Sequence, residues 1–155
     1  MFERKDFQNV VAQLPARMHR LACYSGVNFH VYPQYAFSEP SGEQTIRITR
    51  APKANGDSGI DFWLCAEWLQ DWRGRESYFV GYLSDSAFEP LNEQRFNDLV
   101  AEQCAALIMK PELPLNSKGD FVGAVLLYSM KTDFVVSLVA EYADEFIHFY
   151  WDTTA

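Results

Sequence analysis

The spacing of apolar residues along the chain predicts which of its runs are strands and which are helices. Residues 44–50, QTIRITR, alternate strictly between isoleucine and threonine or arginine, the pattern of a half-buried strand. Runs rich in aromatic and β-branched residues predict further strands at 28–37, 59–68 and 77–83. Pro33 indicates that the first of these strands is an edge or carries a bulge. Because short loops join neighbouring strands antiparallel, these runs predict a four-stranded antiparallel meander.

Helical spacing predicts one helix before these strands and two after them. Residues 6–14 place apolar side chains three and four positions apart. Residues 91–110 repeat this spacing over a longer stretch, and Asn92 is placed to cap that helix. Thr132 is a candidate cap for a last helix at 133–151.

Residues 120–130, DFVGAVLLYSM, fit two interpretations. Their length and their valine, phenylalanine and leucine content favour a buried strand, which would be a fifth strand, and a helix is the alternative. The order of elements predicts an α+β fold with the helices packed on one face of the antiparallel sheet. The 155 residues contain no repeat and no flexible linker, which predicts a single globular domain, 1–155.

Charge and cysteine content narrow the functional class. The net charge is -8, and residues 78–155 carry it, with four basic and twelve acidic side chains. Such a field repels nucleic acid and anionic membranes and attracts basic proteins. Three widely spaced cysteines, no apolar leader and no run long enough to span a bilayer predict a cytoplasmic protein without disulfides.

The densest group of candidate functional side chains lies in EYADEFIHFYWD, residues 141–152 of the predicted last helix. On a helical projection the acidic side chains and the histidine of this segment fall in one arc roughly 100° wide. This predicted acidic strip comprises Glu141, Asp144, Glu145, His148 and Asp152, with Trp151 at its border. Clustered acids near the end of a helix cost stability, so binding of a partner explains them better than folding does.

A metal is the alternative use of this segment, because Glu145 and His148 have the spacing of a di-iron ligand pair. Such centres need a second pair of the same kind, and the sequence contains none. We therefore expect neither a metal nor another cofactor.

A second candidate surface lies on the predicted strand at 59–68. Alternation places Asp61, Trp63 and Glu67 on the face opposite its apolar residues. A tryptophan exposed among charges is a typical interface anchor, whereas the alternative is that Trp63 packs in a second small core. Exposure would make Trp63→Ala cost less than about 1.5 kcal/mol of stability.

These features predict a non-catalytic cytoplasmic module, monomeric or homodimeric, that binds a basic protein through an acidic surface bordered by aromatic residues. The profile resembles that of bacterial immunity proteins, which are small, acidic proteins that neutralise a toxin. One alternative is a secretion chaperone for an effector protein. Another is a small carboxylate- or metal-dependent hydrolase that would use Glu67, Glu141, Glu145 or His148.

Overall fold

A six-stranded antiparallel sheet forms the centre of the fold. The structure, a computed structural model, describes residues 3, 5–9, 12–13, 26–39, 43–54, 59–67, 75–129 and 132–153. The strands are β1 (Asn28–Tyr32), β2 (Gln44–Pro52), β3 (Ser86–Leu91), β4 (Phe121–Ser129), β5 (Thr132–Tyr142) and β6 (Glu145–Thr153). Their order across the sheet is β1-β2-β6-β5-β4-β3. The α+β class is confirmed, but the predicted four-stranded meander has too few strands.

Helices pack on both faces of this sheet. They are α1 (Gly59–Glu67), α2 (Glu76–Asp85) and α3 (Glu93–Cys104), and residues 5–9 and 12–13 are also helical. The first two pack against one set of strand residues, including Val139 and Phe146. The third packs against the alternate set, including Leu138 and Ile147. Successive strand residues point to opposite sides, so the sheet has an α1–α2 face and an α3 face, and the prediction of helices on one face is wrong.

Residues 59–67 form a helix where alternation predicted a strand. Seven of the nine residues of α1 are buried, so this run has no polar face whose period could distinguish a helix from a strand. Phe62 stacks on Phe146 with 5.3 Å between ring centroids. Trp63 meets Phe7 edge to face, with centroids 5.1 Å apart. Trp63 is therefore part of the core on the α1–α2 face.

At two further positions the structure has a different type of element from the one predicted. The predicted strand at 77–83 lies within α2, where Phe79 and Leu83, four residues apart, are both buried. The predicted helix at 133–151 is the hairpin of β5 and β6, which turns at 143–144. Helices cover both faces of this hairpin, so its strands are apolar on both sides and lack the alternation that marks a strand.

The other predicted elements that the structure describes are confirmed in type, and two of them are shorter than predicted. The strand predicted at 28–37 ends at Tyr32 and is followed by a 3-10 helix at Gln34–Ala36, and the helix predicted at 91–110 ends at Cys104. Residues 10, 11 and 14 of the helix predicted at 6–14 lie outside the described residues.

Asn92 caps α3 by accepting a hydrogen bond of 2.8 Å from the Arg95 backbone N–H. The ambiguous run at 120–130 forms β4, between β3 and β5. The first predicted strand is an edge, as Pro33 indicated.

Two of the three cysteines fall within the described residues. Cys65 and Cys104 are buried free thiols, and burial raises the pKa of Cys104 to about 11. Cys23 lies outside the described residues. Among the helices that the structure describes, none is both long and apolar enough to cross a membrane.

Candidate functional site

The acidic residues at 141–152 lie along a hairpin and do not form one strip. Residues three apart in a strand point to opposite faces, so Glu145 lies on the α3 face and His148 on the α1–α2 face. Arg50 binds Glu145 through two hydrogen bonds, of 2.5 and 3.0 Å, which raises the pKa of the guanidinium. Lys53 Nζ lies 2.5 Å from Glu141 Oε1. The predicted helical strip is therefore wrong, and its Glu-x-x-His pair does not converge on one metal.

The far end of the hairpin is tied to β2. The Thr45 hydroxyl donates a hydrogen bond to Asp152, and Trp151 Nε1 donates one of 3.1 Å to Gln44 Oε1. Both partners belong to the strand that pairs with β6. These side chains thus have contacts within the fold, and their role in binding a partner stays a prediction.

Asp144, in the hairpin turn, holds the loop that precedes β4. Its Oδ1 accepts hydrogen bonds from Ser117 Oγ at 2.6 Å and from the Gly119 backbone N–H at 3.1 Å. The bond from Ser117 lowers the pKa of the Asp144 carboxyl. The loop and the turn approach each other at Gly119, where a Cβ would collide with the Asp144 carboxylate and lie 3.0 Å from its backbone nitrogen.

This close approach predicts opposite effects for two glycine substitutions. We expect Gly119→Ala to lower the free energy of unfolding by about 1–3 kcal/mol, because the turn must move to admit the methyl group. Gly81, inside α2, has open space where a Cβ would lie, with no atom from outside its own helix backbone within 4 Å. Gly81→Ala should therefore raise the free energy of unfolding by roughly 0.5–1 kcal/mol. Urea unfolding of both variants measures the difference. Equal effects would contradict the contact between Gly119 and Asp144.

Three polar side chains from distant parts of the chain meet beneath α1. The Ser137 hydroxyl donates a 2.6 Å hydrogen bond to Glu67 Oε1, and His148 Nε2 lies 3.0 Å from both oxygens. All three residues are at most 1% exposed. An ionised Glu67 only accepts hydrogen bonds, so its contact with His148 requires the tautomer that carries a proton on Nε2. This buried polar cluster (Glu67, Ser137 and His148) joins α1 to β5 and β6.

The cluster contains the residue types of a hydrolase but not their geometry. A Ser-His-acid triad places the nucleophile on one imidazole nitrogen and the acid on the other. Here Ser137 and Glu67 share Nε2 of His148, and Nδ1 has no hydrogen-bond partner among the described residues. Ser137 is also fully buried. We therefore assign the cluster to stability. Within the described part of the chain, no three His, Cys, Asp or Glu side chains are grouped to hold a metal.

The second predicted surface is also largely buried. Trp63 is 0% exposed and Glu67 1% exposed, and they lie one turn apart on the side of α1 that faces the core. Asp61 is half-buried on the same helix. The prediction that Trp63 and Glu67 are exposed is wrong because the segment is a helix, and His148 is likewise absent from the surface.

Exposed apolar side chains cluster instead around β1. Eight large hydrophobic side chains are exposed among the described residues, and five of these surround β1. We name these five the β1-edge surface: Phe29, Val31, Tyr35, Ile108 and Met109. The Ile108 backbone N–H donates to Ala36 O at 2.9 Å, and Ser38 N–H donates to Ala106 O at 2.8 Å. These bonds hold the loop after α3 beside β1, so two distant segments form one apolar surface.

Grooves flank β1 on both faces of the sheet. A groove of about 590 Å³ lies between β1 and the loop at 108–110, with Tyr35 and Met109 among its walls. A second groove, of about 220 Å³, lies between β1 and α1 on the α1–α2 face, against Phe29. Val31 lines both grooves. The sequence contained a signal for this surface, since β1 carries aromatic and β-branched residues without a carboxylate, a lysine or an arginine, but it gave no indication that residues 108–109 lie beside it.

No known protein family, curated protein or solved structure matches this chain. Its function is therefore inferred from the geometry of its own surfaces.

Proposed function

We propose that this chain is a non-catalytic protein-binding module and that its partner docks on the β1-edge surface. The observation that carries the proposal is the open edge of β1, which is the terminal strand of the sheet that the described residues form. An edge strand presents unpaired backbone N–H and C=O groups that can pair with another chain. Phe29 and Val31 add exposed apolar side chains to this edge, at 63% and 45% exposure.

The opposite edge of the sheet supports the proposal by contrast. β3 carries Glu89 and Pro90, both exposed. A charged side chain and a proline, which has no N–H to donate, are two devices that keep an edge strand from pairing with other chains. β1 has neither device between Asn28 and Tyr32. Among the residues that the structure describes, the sheet is thus protected at β3 and unpaired along the outer side of β1, as expected if β1 is reserved for a partner.

The overall charge favours a basic partner. A net charge of -8 attracts basic proteins from beyond contact distance and increases their rate of association. The specific form that we propose is an immunity protein of the bacterial cytoplasm that binds and neutralises a basic toxin domain. In this account the long-range field brings the toxin close, and the β1-edge surface makes the contact.

The proposal predicts that a charge placed on β1 abolishes partner binding without unfolding the protein. Val31→Lys should weaken binding of the partner at least about tenfold, because binding would then bury the lysine ammonium group in an apolar interface. The partner is first captured from the native host, and its affinity for each variant is then measured by titration calorimetry. The matched control is Tyr78→Lys on α2, since Tyr78 is 72% exposed and does not line the grooves beside β1.

Both variants should keep the circular dichroism spectrum of the wild type, because both positions are on the surface. If folded Val31→Lys binds the partner as tightly as wild type, the β1-edge surface is not the interface. An equal loss of affinity in Tyr78→Lys would also count against the proposal, since the effect would then come from added charge alone.

A further inference from the structure

The grooves on the two faces beside β1 differ in chemistry, and this difference indicates what kind of segment the edge of β1 accepts. β1 has five residues, so its outer edge, which pairs with no other strand among the described residues, is about 17 Å long at roughly 3.3 Å per residue. A segment that extends along it would place alternate side chains on the two faces of the sheet. Each groove would therefore contact every second residue of that segment.

The groove on the α1–α2 face is mostly apolar. Val27, Phe29 and Val31 form one side, and Cys65 and Ala66 of α1 form the other. Of the described residues in its lining, Arg47 alone is charged, and its guanidinium carbon lies 4.5 Å from the centre of the Tyr150 ring. A volume of about 220 Å³ suits aliphatic side chains.

The groove on the other side combines apolar walls with positive charge. Tyr35, Ile108 and Met109 provide exposed apolar surface, and Lys110 and His30 also line the groove. No carboxylate belongs to its lining among the described residues. The adjoining groove, which also contacts His30 and Tyr32, has one acid and one base in its lining, Glu112 and Arg50. In a chain with a net charge of -8, a groove that has a lysine and lacks acids is locally complementary to a negatively charged ligand.

We infer that the segment bound at this edge is an extended strand whose aliphatic side chains lie beside Phe29 and Val31 and whose acidic side chains lie beside Lys110. This inference rests on the proposed function and specifies the chemistry of its partner. The partner as a whole can still carry a net positive charge although this segment is acidic. The net charge affects the approach of the partner before contact. Inside the groove the nearest charges decide binding, because at physiological salt charges farther away than about 8 Å are largely screened.

A second copy of this chain fits the edge less well than such a partner. Antiparallel pairing of two β1 strands about a two-fold axis would bring Lys110 and His30 of both copies to the same side of the joined sheet. The copies would also repel each other through their net charges of -8. The charges around β1 therefore favour a different, locally acidic chain.

The test uses two fluorescein-labelled peptides of eight residues, one with valine alternating with aspartate and one with lysine in place of each aspartate. Fluorescence anisotropy measures their binding to the full chain at physiological salt. We expect the aspartate peptide to bind more tightly than the lysine peptide, by up to about fivefold, against the direction set by the net charge. Lys110→Glu should reverse this order, whereas Lys118→Glu, an exposed lysine on the loop before β4, should preserve it.

Equal affinities of the two peptides, preference for the lysine peptide, or no binding of either would overturn the inference. An unchanged order in Lys110→Glu would do the same, provided that circular dichroism shows the variant to be folded. These outcomes are separate from failure of the proposed function, which is decided by the binding of the native partner to Val31→Lys. If Val31→Lys loses the native partner and neither peptide binds, the interface stands and the extended acidic segment does not.

Discussion

Trp63→Ala is expected to lower the free energy of unfolding by about 3–5 kcal/mol, the range for removal of a fully buried aromatic side chain. Trp63 is 0% exposed. It meets Phe7 edge to face at 5.1 Å and stacks on Phe79 at 6.1 Å, both between ring centroids. Alanine would leave a cavity where three segments of the core meet, and surrounding side chains fill such a cavity only in part.

The matched control is Tyr78→Ala in the neighbouring helix α2. Tyr78 is 72% exposed, so its truncation should change stability by less than about 0.5 kcal/mol. Chemical denaturation followed by circular dichroism measures both variants. If Trp63→Ala costs less than about 1.5 kcal/mol, as a strand with an open face would require, then α1 does not pack as the structure shows.

Glu67→Ala is expected to cost about 3 kcal/mol, because it leaves a buried serine and a buried histidine without their shared acceptor. Ser137 Oγ and His148 Nε2 lie 2.6 and 3.0 Å from the lost carboxylate oxygen. Both donors are completely buried and have no access to water in place of the carboxylate. The loss should appear as a lower denaturant midpoint with an unchanged slope.

Glu102→Ala is the control for removal of a glutamate. Glu102 pairs with Arg95 at 3.3 Å on the surface of α3, with the two side chains 57% and 52% exposed. Exposed pairs of this kind contribute less than about 1 kcal/mol, so the control should unfold nearly as wild type does. A Glu67→Ala variant that is as stable as Glu102→Ala would show that the buried polar cluster does not join α1 to the sheet.

The sequence predicted the parts of the fold whose two sides differ in polarity. β2 alternates between isoleucine and polar residues over much of its length, and α3 has one apolar stripe and an asparagine cap, so their periods identify them. The edge position of β1 also followed from the sequence, through Pro33. In α3 a solvent-facing side supplies the polar residues, whereas in β2 they are the half-buried Thr45 and Arg47 and the buried Thr49.

Three elements were assigned the wrong type. Two of them, α1 and the β5–β6 hairpin, are buried on more than one side, whereas α2 has several exposed residues and was misassigned because its aromatic residues favour a strand. α1 has seven buried residues out of nine, and the β5–β6 hairpin lies between helices on both faces. Burial all round removes the polar side, and a continuous apolar run then fits a helix and a strand equally well. The predicted acidic strip and the predicted exposure of Trp63 both depended on these assignments, so they were wrong for the same reason.

The buried polar cluster and the β1-edge surface could not be predicted, because each is formed by contacts between distant segments of the chain. Glu67, Ser137 and His148 each interrupt an apolar run, which is a sequence signal for a buried polar group, but nothing in the sequence shows that they meet. The β1-edge surface likewise joins residues 29–35 to residues 108–109. Such pairings arise from strand order and loop placement, which residue spacing does not encode.

The central claim is that a partner binds along β1, and hydrogen exchange on the native complex tests it most directly. Backbone amides are compared by mass spectrometry with and without the captured partner. The account predicts slower exchange at 28–32 and at 108–109 on binding, with exchange at β3, residues 86–91, unchanged. Unchanged exchange at 28–32, with new protection at 141–152 instead, would contradict it and return the interface to the acidic hairpin.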